Sequence, residues 1–433
     1  MEKTSIIIKP ARNVQGSLRL PGDKSISHRY AMLAAIANGR SVFSNFSEGA
    51  DCASTLDCLR ALGCQIQNRN DGTIEIEGVG RELRQPKGAL DCGNSGSTMR
   101  MLSGILAAQN FRCTLMGDES LSRRPMARII EPLRLMGARI SASDGARPPL
   151  QLTGAGPSLK AIDFNIPIAS AQVKSSILFA GLLASGETSV EEPLRTRDHG
   201  ELALRSFGAD VQRSRNRVSI KGRQQLHAIQ AQIPGDVSSG SFFMCAAALF
   251  PESNLILDDL LLNPTRATLL DVLTALGARI GVVNLEERHG ELVGTVKVEY
   301  GALKGIKISG PQAAALIDEL PVLAAIAPYT QHGIEIRDAA ELRVKESDRI
   351  AIVAKNLRAM GARVQEYEDG LSVPGGQELH GAVIDSAGDH RIAMAFSVAA
   401  LRAHDGESCI QGAEAARISY PGFFDALNRI VQR

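Results

Sequence analysis

The chain has 433 residues, 44% of them hydrophobic and 22% charged, enough for two domains with substantial cores. Its 48 basic and 47 acidic side chains leave a formal net charge of +1, which argues against a general polyanion binder; any positive field has to be local. Aromatics make up 4% and tryptophan is absent, so stacking platforms for single-stranded nucleic acid are not expected.

Segments 2–8 and 14–20 read as strands. Pro21-Gly22 then breaks the chain, and Asp23 or Ser25 caps a helix running through Ala35. Lys24 and Arg29 fall at that helix start, where a bound anion would also be favoured. Taken alone, the stretch reads first as a solvated, capped helix start and second as an anion site. Segment 41–46 alternates as a strand, and Asp51 reads most simply as the N-cap of the next helix.

A second polar turn, Asp91 to Arg100, has the same design: small and hydroxyl residues open a helix, and Arg100 follows one turn in. Gly96 lets a ligand approach the backbone. Arg123 and Arg124 precede Pro125, which starts another helix; Arg123 is read as the more solvated of the two. Ser170 and Gln172 open the third such helix, and Thr196 to His199 precede a fourth. Residues 234–238 repeat the Pro-Gly-Asp-x-Ser of 21–25 with Val237 in place of Lys24. They read as a structural twin without the charge, and as the return crossing between domains. In the second half Asn263 to Arg266 precede a helix, Asp318 to Pro321 start an apolar one, and Leu342 and Val344 carry a strand into the charged cluster 343–349. Gly388 to Arg391 open a last small-residue helix.

A pattern Leu-x-x-Leu/Met/Phe-Gly-Ala/Cys-x-Ile/Val recurs with glycines at Gly63, Gly137, Gly208, Gly277 and Gly361, and a degenerate sixth copy covers 424–430. Each copy reads as the last turn of an amphipathic helix, a glycine C-cap and a strand start. The period exceeds that of short solenoids. Most repeat residues are therefore core and cap, with no chemistry of their own.

Seven cysteines (52, 58, 64, 92, 113, 245 and 409) form no CxxC pair, which suggests a reducing compartment with neither a disulfide framework nor a thiolate zinc site. The first ten residues lack a signal-peptide core and no run approaches a membrane span, so a cytoplasmic protein is expected, without membrane association.

Together, the motifs 21–29, 93–100, 124–126, 170–172, 318–321, 343–349 and 388–391 resemble those of the 5-enolpyruvylshikimate-3-phosphate synthase family, in family order across almost the whole chain. The resemblance implies a two-domain inside-out α/β fold, each domain three βαβαββ units in pseudo-threefold arrangement. The domains would be 21–234 and 1–20 plus 235–433, with substrates bound in the interdomain cleft. It implies transfer of the enolpyruvyl group of phosphoenolpyruvate to the 5-hydroxyl of shikimate-3-phosphate through a tetrahedral intermediate, with loss of phosphate. No cofactor and no metal are implied, and no nucleic acid partner; a monomer is expected.

Carried over by position, Lys24, Asp318 and Glu346 are the catalytic residues. Lys24, Gly96, Arg124, Gln172, Arg349 and Arg391 match phosphoenolpyruvate-binding positions. Lys24, Ser25, Arg29, Ser170, Gln172, Thr196, Asp318 and Lys345 match shikimate-3-phosphate positions. Asp51, Asn94, Arg100 and His390 are supporting residues. The chain departs from many relatives at Ile418, where they carry lysine, at Ala171 and at Glu341. These departures fit the divergent bacterial subgroup called class II. Gly96 stands where bulkier residues hinder the inhibitor glyphosate, so inhibition is expected. The sister transferase acting on UDP-N-acetylglucosamine is the nearest alternative; its loop cysteine has no counterpart in 117–124. A non-enzymatic pseudo-sixfold interaction protein is the alternative from another class.

Overall fold

The structure, a computed structural model, describes residues 4–433. The chain divides into two compact units. One, inserted in the sequence of the other, comprises Gly22–Ile233 with His289–Glu291. Of the described residues, the flanking unit comprises 4–21, Pro234–Arg288 and Leu292–Arg433.

The inserted unit is one pattern used three times. Its four-stranded sheets run Gln230–Gln232, Asn38–Ser44, Ile74–Val79, Gln65–Asn68; then Leu90–Asp91, Arg112–Met116, Arg147–Thr153, Arg139–Ser143; then Asp163–Asn165, Glu187–Glu191, Arg217–Lys221, Val211–Ser214. In each the first pair is parallel and the next two antiparallel. A parallel pair needs a crossover, and in the second and third sheets an inner helix supplies it, Gly96–Ala107 or Ala171–Leu183; in the first sheet the inner helix Lys24–Ala35 precedes Asn38–Ser44, and the chain returns to that strand only at Gln230–Gln232. These helices are buried around nearly their whole circumference, as their apolar and small-residue sequences require. The Gly96–Ala107 and Ala171–Leu183 helices meet at Gly104, where an added Cβ would lie 2.1 Å from the Ser176 carbonyl oxygen. Only glycine fits there, and the approach fixes two helix starts that carry candidate site residues.

In the flanking unit the sheet Ile306–Ile308, Ile334–Ile336, Gly370–Val373, Gln365–Tyr367 repeats the same pattern. The other two sheets are a three-stranded one containing Ser5–Ile8 and a five-stranded one containing Asn13–Arg19. Its inner helices are Val237–Leu249, Leu320–Ile326 and His390–Leu401, and every residue of the three is buried.

The repeat glycines take the positions expected of them, with φ of 97°, 113°, 93°, 114° and 94° at Gly63, Gly137, Gly208, Gly277 and Gly361. Asp23, not Ser25, caps the first inner helix by accepting from the Ile26 N–H at 2.9 Å. Its twin Asp236 accepts from Ser238 N–H at 2.7 Å. Glu2 and Lys3 of the first expected strand lie outside the described residues; the strand is seen over Ser5–Ile8.

Four local expectations are corrected. The strand placed at 41–46 spans Asn38–Ser44. Asp51 is not a cap: Gly49 holds that position, and Asp51 lies in the first turn with its carboxylate on Lys24. Pro125 does not start the helix, which begins at Ala127 after Met126 has bonded back to the Ala146 carbonyl. Leu342 and Val344 lie in a 3-10 turn, Ala340–Val344, not a strand. Leu342 is buried while Val344 is exposed, and Leu342 N–H returns to the Ala339 carbonyl, leaving no alternating face to pair.

Candidate active site

In the inserted unit, three capped helix starts hold most of the candidate residues. Lys24 is the first residue of its helix, and its Nζ donates to Asp51 Oδ2 at 2.8 Å. Arg29, one turn on, is buried. Its Nη1 donates to the Ser25 carbonyl at 2.9 Å, and Nε and Nη2 donate to Ser175 Oγ at 3.2 and 3.0 Å, joining the first helix to the third. Burial lowers its guanidinium to about 10, still cationic at neutral pH.

The second start carries Gly96. A Cβ there would come within 2.9 Å of Arg100 Nη1 and 3.5 Å of Arg124 Nη1, so this glycine faces two guanidinium groups. Arg124 Nη2 donates to Asn94 Oδ1 at 3.0 Å, and Asn94 Nδ2 donates to Asp118 Oδ2 at 2.7 Å. Arg123 is exposed, as read from sequence, and Arg124 is buried. The third start is capped by Ser170, which accepts from Val173 N–H at 3.4 Å. Gln172 is held at both ends: Oε1 accepts from Arg100 at 2.7 Å, and Nε2 donates to Ser97 Oγ at 2.8 Å. Thr196 donates through both its N–H and its hydroxyl to Glu192.

Beneath these starts runs a chain that the sequence did not disclose. His28 Nδ1 lies 2.7 Å from Thr55 Oγ1, Thr55 Oγ1 lies 2.6 Å from Thr98 Oγ1, and Thr98 donates to Ser95 Oγ at 2.7 Å. Burial, reinforced by Lys24 and Arg29, holds the His28 imidazole well below its ordinary value, so it is neutral.

In the flanking unit the site is built around Asp318. Arg266, Arg349 and Arg391 place guanidinium nitrogens 4.0, 3.9 and 3.8 Å from its carboxylate, and Arg391 Nη1 donates to its carbonyl at 2.7 Å. Asp389, fully buried, grips Arg349 at 2.8 and 3.2 Å and caps the helix bearing His390 by accepting from Arg391 N–H at 2.9 Å. Glu346 accepts from Arg349 Nη2 at 2.6 Å. Burial alone would lower Arg349, but Asp389, Glu346 and Asp318 outweigh it and raise the guanidinium above its ordinary value. Burial would likewise raise Asp389, and Arg349 overrides it downward. Arg349 Nη1 is buried without a hydrogen-bond partner. Lys345 is half-buried where the 3-10 turn ends.

Each unit thus gathers its own candidates: Lys24, Ser25, Arg29, Asp51, Asn94, Gly96, Arg100, Arg124, Ser170, Gln172 and Thr196 in one, Asp318, Lys345, Glu346, Arg349, His390 and Arg391 in the other. Arg266 was missed as a site residue, although its polar loop before a helix was visible. Cys113 is buried in the strand Arg112–Met116 and its thiol is pushed up to about 12, so it is no thiolate nucleophile at neutral pH. Among the described residues no helix is long and apolar enough to cross a membrane.

The fold is that of an enolpyruvyl transferase. A solved structure of EPSP synthase from Acinetobacter baumannii superposes with a TM-score of 0.88 at 42% identity, covering 99% of this chain and 98% of that one. The enolpyruvyl transferase of Streptomyces tendae shares the fold, with a TM-score of 0.77 at 18% identity and coverage of 99% and 97%. Residues 8–427 match the family model described as EPSP synthase (3-phosphoshikimate 1-carboxyvinyltransferase). Proteins called 3-phosphoshikimate 1-carboxyvinyltransferase from Koribacter versatilis and Bacillus cytotoxicus are 61% and 44% identical, over 99% and 97% of this chain and 100% and 99% of theirs. The chain belongs to the EPSP synthase family and is a transferase.

Proposed function

We propose that the chain transfers the enolpyruvyl group of phosphoenolpyruvate to the 5-hydroxyl of shikimate-3-phosphate. The observation that carries this reading is Asp318, a carboxylate ringed by Arg266, Arg349 and Arg391 in a chain of net charge +1. Such a ring suits a base beside an anionic substrate. Asp318 takes the proton of the 5-hydroxyl as its oxygen attacks C2 of phosphoenolpyruvate. Glu346, with Lys24 sharing the task, protonates C3 to give the tetrahedral intermediate. Loss of a C3 proton to the same group and expulsion of phosphate then restore the enol ether.

Lys24, Arg124, Arg349 and Arg391 bind the carboxylate and phosphate of phosphoenolpyruvate, with Gly96 and Gln172 beside them. Ser25, Arg29, Ser170, Gln172, Thr196 and Lys345 bind shikimate-3-phosphate, each domain supplying half of the machinery. Asp51, Asn94, Arg100 and His390 hold these groups in place. The protein acts as a cytoplasmic monomer of the class II subgroup and is inhibited by glyphosate. Release of inorganic phosphate that requires both substrates, and fails with UDP-N-acetylglucosamine as acceptor, supports this reading; phosphate release with that acceptor alone overturns it.

A further inference from the structure

Lys174 lies two residues beyond Gln172 on a mostly apolar helix and is wholly buried. A buried ammonium must be paired, and its Nζ lies 2.9 Å from Glu192 Oε2 and 2.8 Å from Glu201 Oε1. Arg213 completes the cluster, at 2.7 Å from Glu201 and 3.5 Å from Glu192. Two cations and two anions cancel. They tie together the start of the Ala171–Leu183 helix, the end of the strand Glu187–Glu191, the helix His199–Ser206 and the strand Val211–Ser214.

The cluster also reaches the groups above it. Glu192 Oε1 accepts from Thr196 N–H at 3.3 Å and from the Thr196 hydroxyl, which closes the turn 192–196 on one carboxylate oxygen. Glu201 is the leading counter-charge acting on Arg29. A carboxylate only accepts, so the single proton of the Thr196 hydroxyl is committed to Glu192. The hydroxyl oxygen keeps lone pairs for a donor but has nothing to give to a phosphate oxygen.

We propose that Lys174 and Glu192 are positioning residues of the shikimate-3-phosphate half-site, and that Glu192 accepts the one hydrogen bond the Thr196 hydroxyl can donate, so that Thr196 gives the substrate phosphate none. The inference rests on the substrate reading above. A family-level position match makes Thr196 a substrate contact; the local chemistry makes it an acceptor.

Three variants test it in the full chain, with shikimate-3-phosphate and shikimate as probes. Glu192→Gln raises KM for shikimate-3-phosphate about ten-fold, with kcat and KM for phosphoenolpyruvate within about two-fold of wild type. If that variant is too unstable to assay, Lys174→Met with Glu192→Gln removes one charge of each sign and shows the same split. Unchanged shikimate-3-phosphate KM in a folded variant, or an equal loss in every parameter, overturns the positioning role. Thr196→Val leaves the ratio of shikimate-3-phosphate to shikimate affinity unchanged. A drop in that ratio by about ten-fold means that Thr196 does donate to the phosphate, and overturns the claim. Wild-type protein that binds no shikimate-3-phosphate overturns the substrate reading instead, a result distinct from either.

Discussion

Lys24 Nζ donates to Asp51 Oδ2 at 2.8 Å, so the one lysine at the first helix start is held by a carboxylate from the next helix. The pair is largely shielded from solvent, with side-chain exposures of 19% and 9%. Replacing Asp51 by Asn keeps an acceptor but drops the charge that orients the ammonium. Steady-state kinetics of Asp51→Asn should show KM for phosphoenolpyruvate raised by roughly three- to ten-fold, while Lys24→Met loses at least about a hundred-fold in kcat/KM.

Gly96 faces the tips of two arginines, not backbone. Gly96→Ala should therefore fold with a Tm close to wild type, because the far ends of Arg100 and Arg124 can shift. Their displacement appears instead in function, as KM for phosphoenolpyruvate raised by about ten-fold and weaker inhibition by glyphosate. An inhibition series on the two proteins checks both.

Gly104 is the opposite case, since its missing Cβ would strike the Ser176 carbonyl in a packed helix contact. Gly104→Ala is expected to lose about 1–3 kcal/mol in denaturant unfolding, because backbone must move to admit the methyl group.

The sign of the pH dependence at His28 follows from its depressed folded value. Below about pH 6.5 the unfolded chain takes up a proton at this position while the folded chain does not, so stability falls as pH falls. Above that pH both states are neutral and His28 contributes no slope. Between pH 7 and 5.5 the loss attributable to His28 is on the order of 1 kcal/mol, and His28→Asn removes that part of the slope. Denaturant titrations of both proteins at the two pH values measure it.

Much of the scaffold was legible in the sequence because it is local. A glycine C-cap leaves its mark within one turn, and all five repeat glycines have left-handed backbones. The Pro-Gly-Asp-x-Ser twin likewise announced two capped helices through contacts two or three residues long. What was lost lies in pairs far apart in the chain. Asp51 looked like a cap because nothing nearby says that Lys24, 27 positions earlier, will claim it. Arg266 reaches Asp318, and Lys174 reaches Glu192 and Glu201, only through the fold. A lysine in an apolar helix was the one sequence signal for that buried cluster. Val344 was misread because strand alternation and a 3-10 turn look alike over so few residues.

The most direct test of the central claim is mass-spectrometric identification of the product from purified chain, phosphoenolpyruvate and shikimate-3-phosphate. The enolpyruvyl ether of shikimate-3-phosphate should form one-for-one with inorganic phosphate, and Asp318→Asn should slow its formation by about a hundred-fold or more. No ether from active, folded protein, or an ether formed only on a UDP-sugar, would contradict the account.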